Sequence, residues 1–193
     1  MIMDIFDQKQ VLNSFTVLAD SREQNTRRAQ KRYESMGVPV ERATLDFGDY
    51  TYNATLPSGA TIYDITKTIR PRCVIERKMN LDELAQCFTN SRDRFRREFQ
   101  RAAAAGARIY LICENATMEN LANGKYRSRF NANAFMGSLT AYMVRYNMCV
   151  LFCKEETSGR LIREILYRDL KERLERGDFD EGMDKSIPET QTE

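Results

Sequence analysis

The run Ile109-Tyr110-Leu111-Ile112-Cys113 is apolar from end to end and reads as a strongly buried strand, Arg108–Glu114. What surrounds it narrows the fold further. Upstream, Phe15–Ala19, Val38–Thr44 and Tyr50–Leu56 read as strands, with a helix over about Gln24–Met36 that Gly37 is placed to end. The Pro57-Ser58-Gly59 turn predicts a hairpin that pairs Tyr50–Leu56 with Thr61–Ile65. Arg72–Lys78 is the next strand. Asn80 is placed to cap a helix over Leu81–Phe88, with Glu83 three residues on, and a second helix over about Arg92–Ala105 stops at Gly106. After the buried strand come a polar loop at 123–131, a helix over about Ala132–Tyr146, a strand at Met148–Cys153 and an amphipathic helix over Ser158–Arg176. Antiparallel strands followed by alternating strands and helices predict an α/β fold, a mixed sheet with helices on its faces.

A length of 193 residues suits one domain, here 1–176, followed by an acidic, disordered tail at 177–193. That tail holds six acids against Lys185 alone, a balance of −5, so the rest of the chain carries +7. A basic body fits an anionic partner, nucleic acid first, or a solvated surface. No run of about 18 apolar residues exists and the start, Met1-Ile2-Met3-Asp4, has no secretory pattern, so neither a membrane span nor a signal peptide is expected. Five Cys fit reduced thiols in a cytoplasmic protein. The His count is zero, which excludes Ser-His and Cys-His nucleophiles and Cys/His zinc sites.

In Val74-Ile75-Glu76-Arg77-Lys78 successive side chains of a strand alternate, so Glu76 and Lys78 share one face with Val74 while Arg77 takes the other. Asp49, after Gly48, opens a neighbouring strand. Two acids and a lysine on adjacent strands suit metal-assisted phosphodiester hydrolysis, in which carboxylates hold a hard divalent cation and the lysine positions the attacking water.

The pattern Gly48-Asp49 … Glu76-Arg77-Lys78-x-x-x-Asp82 resembles the signature of the XPF-type (ERCC-type) structure-specific endonucleases, within the restriction-endonuclease-like nucleases. Asp20-Ser21-Arg22-Glu23 is similar to the block that ends the family's first strand. Ser91-Arg92-Asp93-Arg94-Phe95 resembles its basic helix, and Ala134–Leu151 its later helix–strand pair. The resemblance implies a restriction-endonuclease-like central mixed sheet flanked by helices, and DNA cleavage near duplex/single-strand junctions of flap or fork type that leaves a 5′ phosphate and a 3′ hydroxyl. It implies Mg²⁺ or Mn²⁺ held by Asp49 and Glu76, with Asp20 and Glu23 assisting, and Lys78 orienting water. Arg22 and Arg77 would hold phosphate or support the site, Asp82 would anchor the following helix, and the late helices would form a homodimer. The family's tandem helix-hairpin-helix module has no counterpart in this sequence.

Each residue also has a structural reading. Asp49 could be a turn residue, Glu76 and Lys78 a cross-strand ion pair, Asp20 a helix cap, and Asp82 a carboxylate near a helix N-terminus. Arg92, Arg94 and Arg97 form a phosphate track or a solvated face with Arg94–Glu98 pairing. Lys125, Arg127 and Arg129 sit among aromatics, which suits backbone contact and stacking on a single strand, or a surface loop anchored by Phe130. Two further functional classes stay open: a non-catalytic DNA-binding or dimer-partner module, and a junction resolvase-like nuclease.

Overall fold

The structure, a computed structural model, describes residues 3–68 and 72–180. Its sheet contains β1 (Thr16–Asp20), β2 (Val40–Ala43), β3 (Tyr50–Asn53), β4 (Cys73–Lys78), β5 (Arg108–Glu114) and β6 (Cys149–Cys153), in the spatial order β2-β1-β3-β4-β5-β6. β3 alone runs antiparallel to its neighbours, and the other pairs are parallel. The helices are α1 (Ile5–Asn13), α2 (Arg27–Met36), α3 (Ile62–Thr68), α4 (Leu81–Phe88), α5 (Arg92–Ala104), α6 (Met118–Ala122), α7 (Ala132–Tyr146) and α8 (Glu155–Glu175). This is the α/β mixed sheet flanked by helices that the strand and helix order predicts.

The strands' two-residue period divides the interior into two cores. β5 sends Ile109, Leu111 and Cys113 to one face, against Leu84, Phe95, Phe99 and Leu139 of α4, α5 and α7. Ile112 joins the other, with Met36 of α2 and Ile162, Leu166 and Leu170 of α8. Leu111 and Ile112 are fully buried on opposite faces, each contributing roughly 1.5–3 kcal/mol of transfer free energy. On β4, Val74 enters the α4–α5 core while Cys73 and Ile75 enter the α2–α8 core, which sets Glu76 and Lys78 on the α4–α5 side.

Four expectations are corrected. The Thr61–Ile65 strand is absent: one bridge, Thr55 to Thr61, remains of the hairpin, and α3 follows. Thr61 Oγ1 accepts the Asp64 N–H and donates to the Asp64 carboxylate, a capping arrangement that starts a helix. Short helices α1 and α6 were not anticipated. Asp4 caps the first through the N–H groups of Phe6 and Asp7, and Thr117 caps the second through Asn120 N–H. α8 starts at Glu155 rather than Ser158, with Glu155 and Glu156 in its first turn. The first part of the expected tail is packed. Phe179 is buried in the α2–α8 core with the Arg173 guanidinium over its ring, and Asp180 accepts the Met3 N–H at 2.9 Å. The rest of that tail, 181–193, lies outside the described residues.

Candidate active site

β1 and β4 run the same way on either side of reversed β3, so the ends of β1 and β4 meet the start of β3. Backbone bonds lock this register: Asp20 N–H donates to Asp49 O at 2.8 Å, and Asp49 N–H to Ile75 O at 2.7 Å. Asp20, Asp49 and Glu76 therefore stand abreast at one end of the sheet. With Lys78, Glu23, Arg22 and Arg94 they line a cleft of about 270 Å³, closed on one side by Phe95 and Glu98 of α5.

Gly48 makes this approach possible. Its φ is +75°, and a Cβ there would lie 3.1 Å from Val74 Cβ and 3.3 Å from Ile75 O. Its N–H donates to Glu98 Oε1 at 3.2 Å. The Asp49 carboxylate is held in turn, with Oδ2 accepting the Arg77 N–H at 2.7 Å. Glu76 and Lys78 form an ion pair in which both side chains are nearly buried.

The electrostatics follow from burial and crowding. Burial, then the Asp49 carboxylate, pushes the Glu76 pKa up from 4.5 to about 8, against the pull of Lys78. Burial also works against the Lys78 charge, but Glu76 and Asp49 outweigh it and hold the ammonium well above the ordinary lysine range. Glu23 is raised by burial and by Asp49, with Arg77 opposing. Cys87 lines the cleft, but burial pushes its thiol up to about 12, so it is no thiolate nucleophile.

The oxygen-only donor set suits a hard cation rather than zinc or copper. Buried Glu76, crowded by the half-buried Asp49 carboxylate, is a group whose charge a cation would stabilise. Among the described residues no three His, Cys, Asp or Glu side chains are grouped as a metal cage. Mg²⁺ commonly takes one or two carboxylates and completes its shell with water and phosphate, so an Asp49–Glu76 pair fits it. Asp20 and Glu23, expected to assist a metal, are each paired with an arginine here. Asp20 is engaged by the Arg22 guanidinium, whose Nε lies 2.7 Å from Oδ2, and Glu23 by Arg77 at 3.3 Å.

Of the two roles expected of Arg77, supporting the site or holding phosphate, its surroundings fit support. It faces the α2 side, 12% exposed, and bonds Glu23 and Glu114. Glu114, fully buried at the end of β5, also holds Arg32 of α2 at 3.0 Å. Arg22 lines the cleft, half exposed, and also donates to Leu45 O at 2.7 Å. Among the basic-helix arginines, Arg94 reaches the cleft, while Arg92 and Arg97 are exposed elsewhere on α5. Asp20 does not cap α2; Thr26 does. Lys125, Arg127 and Arg129 are exposed in the 123–131 loop, and Phe130 packs on Phe135 with ring centroids 5.4 Å apart. Sequence reasoning missed Glu98 as a cleft residue. Its signal was slight, an acid among arginines on α5, and its partner Gly48 lies fifty residues away.

Comparison with protein families matches the ERCC4 domain over residues 19–165. Among solved structures, XPF from Aeropyrum pernix superposes with a TM-score of 0.54 at 18% identity, covering 80% of this chain and 61% of that one. XPF from Aeropyrum pernix in complex with DNA gives 0.54 at 21% identity, covering 81% and 65%. This chain thus spans less than two thirds of either structure, and at these identities the likeness is one of fold. Comparison with curated proteins finds no match.

Proposed function

This chain belongs to the ERCC4 domain family, and from that premise we propose that it is a divalent-metal-dependent DNA endonuclease hydrolysing phosphodiester bonds near duplex/single-strand junctions. The observation that carries the reading is the meeting of Asp49, Glu76 and Lys78 in one cleft, with Arg94 at its edge. Asp49 and Glu76 would hold Mg²⁺ or Mn²⁺, which supplies Lewis-acid activation of water and charge neutralisation at the phosphate. The Lys78 ammonium, kept charged by its two carboxylate neighbours, is placed to orient the attacking water and to offset charge on the transition state. Arg94 and Arg22 are placed to receive phosphate oxygens of the strand being cut. Asp20 and Glu23, tied to arginines, support the cleft wall. The same reading carries a homodimer through the late helices, where Val144 of α7 is 86% exposed; sedimentation of the purified chain checks it.

The test is a panel of end-labelled flap, fork, four-way junction, duplex and single-strand DNAs, each with Mg²⁺, Mn²⁺ or EDTA. Cutting of branched substrates is expected with metal and not with EDTA. Glu76→Ala and Lys78→Ala are each expected to lower the rate by about 10²-fold or more, with unchanged circular dichroism. Parent-rate cutting by either variant overturns the assignment.

A further inference from the structure

A second groove adjoins the cleft. It has a volume of about 740 Å³, and its walls are α4 with the turn that follows on one side and the 127–131 segment on the other. Gln86 lines both the cleft and the groove, so the two adjoin at its side chain. The groove displays Arg127 and Arg129, neither of which has an ion-pair partner among the described residues, together with the side-chain amides of Gln86 and Asn90 and the NH2 groups of Asn80 and Asn131, whose carbonyl oxygens cap α4 and α7. Asp82 holds it in shape. Its Oδ1 accepts the N–H groups of both Arg127 and Ser128 at 2.7 Å, tying the loop to the first turn of α4. Phe130 is committed to the core through Phe135 and serves as wall.

Unpaired guanidinium groups take phosphates, and amides both donate to and accept from base edges. A duplex in the groove would present phosphates with its bases turned inward, leaving the amides without partners. An unpaired strand presents both. Resting on the nuclease reading above, we infer that this groove binds the single-stranded extension of the substrate as it leaves the cleft, and that Asp82 is a positioning residue acting through the loop.

The test uses the whole chain with a fluorescein-labelled blunt duplex and the same duplex carrying a single-stranded extension. Binding is read by anisotropy with Ca²⁺ in place of Mg²⁺, and cleavage by steady-state kinetics in Mg²⁺. The parent is expected to prefer the extended duplex. The double variant Arg127→Ala/Arg129→Ala is expected to bind extended DNA about tenfold more weakly and to lower the log K against log salt slope by about 1.4, two single-strand phosphate contacts. Blunt-duplex binding should stay within about twofold, and KM should rise with kcat little changed. Asp82→Ala should act alike, and Asp82→Asn, which keeps an acceptor oxygen, should restore binding; if Asp82→Ala fails to fold, the arginine variant decides. Parent-like binding of extended DNA by the arginine variant overturns the groove while leaving the nuclease reading intact, as does a parent without preference for the extension. A parent that cuts nothing, alongside an arginine variant that loses extension binding, sinks the nuclease reading and keeps the groove.

Discussion

Gly48 is the residue on which the cleft geometry turns. A non-glycine residue at its φ of +75° costs roughly 1–2 kcal/mol, before its Cβ presses on Val74. Gly48→Ala is expected to lower unfolding free energy by about 1–3 kcal/mol in urea melts and to lower cutting further, because the neighbouring Asp49 carboxylate moves. A variant with parent stability and rate would show that the close approach is immaterial. Glu98 offers a cleaner dissection. Glu98→Gln keeps an acceptor for the Gly48 N–H and removes a charge, whereas Glu98→Ala removes both. If Glu98 works by holding the turn, Gln stays close to parent in cleavage rate and Ala falls several-fold; equal loss in the two would assign its role to charge instead.

At the scale of elements, α2 and α8 touch backbone to backbone at Gly159, where a Cβ would land on Ser35 Oγ and the Arg32 carbonyl oxygen. Arg32 runs from that contact to Glu114, and Glu114 to Arg77, whose own N–H fixes Asp49. Gly159→Ala is therefore expected to cost about 1–3 kcal/mol through overpacking and to reduce cleavage through this chain of contacts. Glu114→Ala, which leaves buried Arg32 without its carboxylate and Arg77 with Glu23 alone, should cost about 3–5 kcal/mol; chemical denaturation reads both. The difference between what was legible and what was not lies in range. β4 and β5 were legible because apolar runs announce buried strands, and alternation alone assigned Glu76 and Lys78 to one face and Arg77 to the other. That Glu114 waits on Arg77's face is a long-range meeting that no local period encodes, which is why the sequence left Arg77 between holding phosphate and supporting the site. α3 was missed because a Pro-Ser-Gly turn speaks for a hairpin more loudly than Thr61 and Asp64 speak for a cap. The acids of the cleft were legible only as a set, since each alone has an ordinary structural use.

At the scale of the whole molecule, a metal that binds only the folded chain stabilises it by mass action. At a concentration of about 100 times its Kd, Mg²⁺ or Mn²⁺ is expected to add roughly 2.7 kcal/mol, read as a rise in melting temperature that Glu76→Ala abolishes. An equal rise in the variant would move the ion elsewhere. This readout needs no DNA, so it separates metal binding from cutting. No helix among the described residues is long and apolar enough to cross a membrane. The bond from Met3 N–H to Asp180 joins the two extremes of the described chain through α1 and the segment after α8. A short flexible linker from Met3 to Asp180 would thus close the backbone into a ring with little distortion. New termini opened at the exposed Ser58–Gly59 turn would then give a circular permutant in which the order of the strands along the chain changes and their neighbours in the sheet do not.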